Sequence, residues 1–190
     1  MKIFIIGRRK EAEGIIQELA TQTDFLVVRK DLQFSAKKLV RCIVGKKAKL
    51  SSVDYFKNYV GDVYDLYPTS TEYRYEVFRT LRKLIMEFRS QYGNDILSRM
   101  TTVESKAQPY MQSKITLNVI MNIELLDELE VLVKKENDAK NLIVLINNQG
   151  EFTEETIKKR VEFAKNCTFL NLKDQKNHFK FIRESLSKIL

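Results

Sequence analysis

The residues whose spacing most resembles a chemical motif lie at the start of the chain. Gly7, Ala12, Glu13 and Gly14 fall on the positions of the GxxxxGK[ST] phosphate-cradling template, with Gly7 as its first glycine. Ala12 stands at the second glycine, Glu13 at the lysine and Gly14 at the serine or threonine. In that template the lysine neutralises the β- and γ-phosphates and the hydroxyl ligates magnesium. A carboxylate at the lysine position repels the ligand that the lysine would hold, so the frame is present and its chemistry is not. Arg8, Arg9 and Lys10, inside the loop, leave binding of an anion at a helix N-terminus as residual chemistry. Simple hydration accounts for these side chains equally well.

Other candidates are spread along the chain. A basic stretch holds Lys37, Lys38, Arg41, Lys46, Lys47 and Lys49, which reads first as a solvated helix face. Tyr55, Phe56, Tyr59, Tyr64 and Tyr67 follow, interleaved with Lys57 and with Asp54, Asp62 and Asp65. Aromatic and basic residues together can stack on bases. The aspartates argue against that here, and the rings read as padding for a core or a partner surface. Arg79, Arg82 and Arg89 lie off an apolar stripe, and a guanidinium suits phosphate, although exposed arginines on an amphipathic helix are ordinary. Cys42 and Cys167 have no CxxC or histidine spacing around them and read as reduced thiols, supporting neither a disulfide nor a metal site. His178 is the only histidine; with no nucleophile motif it reads as a surface or capping residue, and no catalytic residue is assigned.

The elements that must position these residues alternate in type. Met1 to Ile6 is a continuous apolar run of the kind buried on both faces of a parallel sheet. The turn at Gly7 leads to a helix beginning near Glu11 with Ile15, Ile16 and Leu19, and Phe25 to Val28 forms a second strand. A right-handed crossover makes these two strands parallel and puts Gly7 at the carboxyl edge, where open α/β sheets bind ligands. Helices are expected at 35–44 and 71–92, the latter with a stripe of Tyr75, Phe78, Leu81, Ile85, Phe88 and Tyr92, and a helical turn at 95–100. Residues 101–114, with Pro109, read as a mobile loop or lid. Strands are expected at 115–121, 142–146 and 168–172, and helices at 124–136, from a Thr153 cap to about Lys165, and at 178–190. This alternation gives an α/β fold, a parallel sheet flanked by helices.

Length and composition set the scale. With 190 residues, 44% of them hydrophobic, and two prolines, the chain is expected to form a single domain, 1–190. Lysine and arginine outnumber aspartate and glutamate by 33 to 25, a net charge of +8. This suggests an acidic or polyanionic partner, nucleic acid included. No apolar run reaches membrane-spanning length and no signal-peptide core is evident at the start, so a soluble, cytoplasmic protein is expected.

The order of elements, with several local motifs, resembles the phage-type deoxynucleoside monophosphate kinases of the P-loop class. That family opens on a phosphate loop, has a Thr-Pro-Arg helix start mid-chain and ends a strand in Asp-x-Arg with a glutamate beyond. Here Thr80-Leu81-Arg82 keeps the threonine and arginine, with Asp95 downstream. Asn122-Ile123-Glu124 replaces the aspartate and the arginine, with Glu128 and Glu130 in the helix after it, and Phe169-Leu170-Asn171 matches the closing strand. The resemblance implies a three-layer P-loop kinase-like fold, with Arg79, Arg82, Asn122, Glu124 and Glu128 on the substrate side. The departures, Glu13, Gly14 and Glu124, make the cradle less positive where phosphoryl transfer needs positive charge. They imply a pseudoenzyme without cofactor that acts through a protein partner, as a phage virion component or a factor directed at a host protein, in the virion or host cytoplasm. The alternative is an active kinase with an atypical loop, using ATP and magnesium. A more distant one is a basic nucleic-acid-binding protein.

Overall fold

A computed structural model describes residues 1–22, 24–32, 82–83, 85–100, 115–135, 140–147, 150–173 and 175–190. The expected helix at 35–44, its basic stretch, Cys42, the aromatics from Tyr55 to Tyr67, Arg79, Thr80 and the loop at 101–114 lie outside the described residues. The chain separates into two compact units, one of Met1–Leu32 with Ser98–Leu190 and one of Gln33–Leu97.

The first unit is built on five parallel strands: β1 (Lys2–Ile6), β2 (Phe25–Asp31), β3 (Ile115–Met121), β4 (Asn141–Leu145) and β5 (Cys167–Asn171). Their order in the sheet is β2-β3-β1-β4-β5. The first strand in sequence is therefore the central one, pairing Ile3 with Val119 on one side and with Leu142 on the other. Every residue of β1 and β4 is buried, whereas the edge strands β2 and β5 are only partly so. The continuous apolar run at the start of the chain marks a strand covered on both faces, as expected, whereas the apolar run Phe25–Val28 lies on an edge strand and is only partly covered. β2 runs three residues past the expected Val28 because its pairing with β3 continues to Asp31 opposite Met121.

Alternation along β1 divides the core in two. Ile3 and Ile5 pack with Ile15, Ile16 and Leu19 of α1 (Arg9–Ala20) and with Ile182 and Leu186 of the last helix. Phe4 and Ile6 face the other way, onto Leu129, Leu132 and Val133 of one helix and Ile157 and Val161 of another. The result is a sheet between two layers of helix, as the α/β reading predicted. Phe4 and Phe152 are fully buried, each stabilising the fold by about 1.5–3 kcal/mol relative to an exposed ring.

The short α2 (Ile96–Met100) is followed after β3 by α3 (Leu126–Lys134), after β4 by α4 (Glu154–Val161) and after β5 by α5 (His178–Ile189). Thr153 caps α4 as expected, its Oγ1 accepting from the Thr156 N–H at 3.2 Å. Glu154 and Glu155 sit in the first turn of that helix and Lys158, Lys159 and Arg160 in its last, complementing the helix dipole at both ends. The helix stops at Val161, short of Lys165. Asn177 caps α5 by accepting from the Lys180 N–H at 3.1 Å, so His178 is the first residue of that helix and not its cap.

In the second unit, residues 85–92 are helical and end at Gly93, whose N–H donates to the Arg89 carbonyl at 2.9 Å. Ile85 and Phe88 are buried, as the stripe predicts. Arg89 corrects the expectation of an exposed arginine: it is only 6% exposed. Four residues after Ile85, it shares the face that Ile85 and Phe88 bury. Arg82 is exposed.

Candidate functional site

In an open α/β sheet, a crevice forms at the carboxyl edge between neighbouring strands whose following helices lie on opposite faces. Here β1, followed by α1, meets that condition with both of its neighbours, β3, followed by α3, and β4, followed by α4; the residues after β4 are those that approach the Gly7 turn. β1 and β4 pair throughout their length and their helices belong to different core layers. The Gly7 turn therefore lies at the expected place.

Only Gly7 and Arg8 connect β1 to α1. The helix begins at Arg9, two residues before Glu11, and Ala12, Glu13 and Gly14 are all helical. Arg8 is the N-cap residue, in extended conformation and without a side-chain capping bond. Its carbonyl accepts from the N–H groups of Glu11 and Ala12, both at 3.1 Å. Two of the backbone donors at this junction, those of Glu11 and Ala12, are thus used within the helix. Ala12 is buried in the core and Gly14 is exposed.

Gly7 is required by packing. A Cβ at this position would lie 2.8 Å from the Cβ of Ile146, and Ile146 is fixed there because its N–H donates to the Ile6 carbonyl at 2.8 Å. The next residue, Asn147, donates from Nδ2 to Glu11 Oε2 at 3.0 Å. The crevice is therefore spanned by an amide–carboxylate bond.

Glu13 accepts from Arg9 Nε at 2.8 Å and from Arg29 Nη2 at 3.0 Å. Arg29 also approaches Asp31 at 3.9 Å. The hydrogen bond from Arg9, and then that from Arg29, hold the Glu13 carboxyl below its ordinary value despite some opposing desolvation. Its charge is compensated within the chain by these two arginines.

At the end of β3, Asn122 adopts a left-handed conformation with φ of 59°, which asparagine tolerates better than most residues. Its Nδ2 is buried without a hydrogen-bond partner. Glu124 is exposed. Glu128 is fully buried and its Oε2 accepts from the N–H groups of Glu124 at 3.0 Å and Leu125 at 3.3 Å. It closes the start of α3, as a carboxylate at the third helical position commonly does. Leu126 N–H is satisfied by Glu151 Oε1.

The structure thus places Gly7, Arg8, Arg9, Lys10, Ala12, Glu13 and Gly14 at the β1–α1 junction, with Asn122, Glu124 and Glu128 after β3. Arg82 belongs to the other unit. Sequence reasoning missed Asn147, Ile146 and Arg29. Asn147 directly follows the expected strand at 142–146, but its place beside Glu11 depends on strand order. Among the described residues, no group of three His, Cys, Asp or Glu side chains is arranged to hold a metal ion, and no helix is long and apolar enough to cross a membrane. Neither the protein-family models, the curated proteins nor the solved structures contain a match to this chain.

Proposed function

We propose that this protein is a non-catalytic member of the nucleotide-kinase-like folds, phage-encoded, acting by binding another protein as a virion component or host-directed factor. The observation that carries this reading is the two-residue connection between β1 and α1. A loop that wraps phosphates needs several non-helical residues whose N–H groups converge on the ligand. Here Arg9 through Gly14 are helical, and Glu13 at the lysine position is already bound to Arg9 and Arg29. The Glu11–Asn147 bond adds a carboxylate to the crevice that a phosphate would enter. All three features oppose a bound triphosphate.

The test is calorimetric titration with ATP–magnesium and with each deoxynucleoside monophosphate, alongside a coupled kinase assay. Neither binding nor turnover is expected. Turnover that is abolished by Arg82→Ala would overturn the reading in favour of an active kinase with an atypical loop.

A further inference from the structure

Lys2 is only 5% exposed, Asn118 7% and Asn141 1%. Each is the one polar residue in the buried run of its strand. Lys2 opens β1 ahead of Ile3–Ile6, Asn118 lies between Leu117 and Val119 in β3, and Asn141 opens β4 ahead of Leu142–Leu145. The pairing puts all three side by side, with Lys2 opposite Asn118 on one neighbouring strand and opposite Asn141 on the other. By alternation they share the face of the sheet that carries Phe4, Ile120 and Ile143. A polar row thus crosses the three central strands. Backbone bonds accompany it: the Lys2 N–H donates to the Lys140 carbonyl at 3.2 Å and the Asn118 N–H to the Met1 carbonyl at 3.1 Å.

Stability alone does not explain this row. Asn118 Oδ1 is buried without a hydrogen-bond partner, which is less favourable than an apolar side chain of the same shape, such as leucine. What the apolar residues fail to supply is alignment. Where one face of a sheet is solvated, a one-residue slip exposes the apolar set and is penalised. Every residue of β1 and β4 is buried, on both faces, so that penalty is absent. The runs Ile3–Ile6, Val119–Met121 and Leu142–Leu145 are alike enough that slipping one past another exchanges one apolar contact for another. The polar residues are not exchangeable in this way. A slip of one residue sends Lys2 and its neighbours to opposite faces. A slip of two sets Lys2 beside Ile120 or Ile143, in an apolar layer where a charged group is costly.

We infer that Asn118, Lys2 and Asn141 form a register mark, which selects one alignment of β3, β1 and β4 among several that apolar packing leaves close in energy. A single buried polar residue fixes the alignment of coiled-coil helices in the same manner, at a cost in stability. Here the device is laid across a parallel sheet, and it acts within the fold whatever the protein binds.

The experiment compares three whole-chain proteins: wild type, the combined variant Lys2→Met, Asn118→Leu, Asn141→Leu, and Asn118→Leu alone. Each is followed by urea denaturation and by NMR of methyl-labelled Ile, Leu and Val. Wild type is expected to give one set of signals, with Ile3 beside Val119 and Leu142. The combined variant is expected to unfold at a urea concentration no lower than wild type, yet to give a second set in which Ile3 is displaced by one or two residues along its neighbours. Asn118→Leu leaves Lys2 and Asn141 to align β1 with β4, so doubled signals are expected for Val119 and not for Leu142. This single variant decides the matter if the combined one does not fold. One in-register set of signals in either variant would overturn the register mark, as would a combined variant that folds but unfolds at a lower urea concentration than wild type.

Discussion

Asn147 donates its side-chain amide to the Glu11 carboxylate at 3.0 Å, joining the segment after β4 to the first turn of α1. The two residues are far apart in the chain and meet because β4 lies beside β1. The bond sits where an open α/β sheet would receive a ligand, and Glu11 also lines a groove beside Gly14, between α1 and the start of α5. One carboxylate thus borders both the crevice and the groove.

Gly7→Ala should destabilise the protein by about 1–3 kcal/mol, the usual range for forcing extra volume into packed surroundings. The nearest atom to the added methyl is the Cβ of Ile146, at 2.8 Å, so Ile146→Ala, which keeps that atom, should not rescue the variant. Urea denaturation of the two single variants and the double variant checks this. Recovery of stability in the double variant would show that the outer atoms of Ile146 are the obstacle.

Restoring the template's side chains should not restore its chemistry. Glu13→Lys combined with Gly14→Ser recreates the lysine and hydroxyl, yet both positions remain inside a helix that begins at Arg9. No ATP–magnesium binding is expected by calorimetry. Tight binding by the double variant would mean that side-chain identity, and not the length of the connection, had been limiting.

Glu13 contributes to stability in a pH-dependent way. Its pKa is lowered in the folded protein, chiefly by the hydrogen bond from Arg9. The stabilisation is therefore full above the unfolded value and is lost as pH falls through the folded one. Because both arginine partners are at least 40% exposed, the effect should stay below about 1 kcal/mol. The gap between wild type and Glu13→Gln in denaturation midpoints should shrink as pH drops below 4.5. A gap that grows on acidification would contradict this.

Glu128→Ala should cost about 2 kcal/mol by leaving the Glu124 and Leu125 N–H groups without their carboxylate. Glu128→Gln keeps an acceptor oxygen and should cost less. Thermal and chemical denaturation distinguish the pair, and an alanine variant indistinguishable from wild type would remove Glu128 as a helix-start anchor.

Burial pushes the Cys167 thiol up to about 11. In a Cys42→Ser background, its reaction with iodoacetamide at pH 8 should be far slower than that of a free cysteine, because the thiolate is the nucleophile. The rate should keep rising with pH well beyond 9. A plateau near 8.5 would show an exposed, ordinary thiol.

The layers of this fold were legible in the sequence wherever a whole face is apolar. The runs at Ile3–Ile6 and Leu142–Leu145 announced buried parallel strands, and Thr153 announced a helix start. The beginning of α1 was not legible, because Arg8, Arg9 and Lys10 show neither apolar period nor capping side chain. Arg89 was misplaced because its charge outweighed its four-residue spacing from Ile85. The candidate site was legible only as the Gly7 turn with Glu13. Its other members depend on which strands are neighbours, and local periodicity does not encode strand order.

The central position of β1 has a consequence for synthesis. Of the five strands it is synthesised before the others, but its two neighbours begin at Ile115 and Asn141. Until both have emerged, Ile3, Phe4, Ile5 and Ile6 have no sheet to join and stand as an adhesive apolar segment. Pairings this distant in sequence are slow to form and leave chains open to aggregation. Nascent chains stalled before Ile115 should therefore depend on chaperones, and this dependence should fall sharply once Leu145 has cleared the exit tunnel.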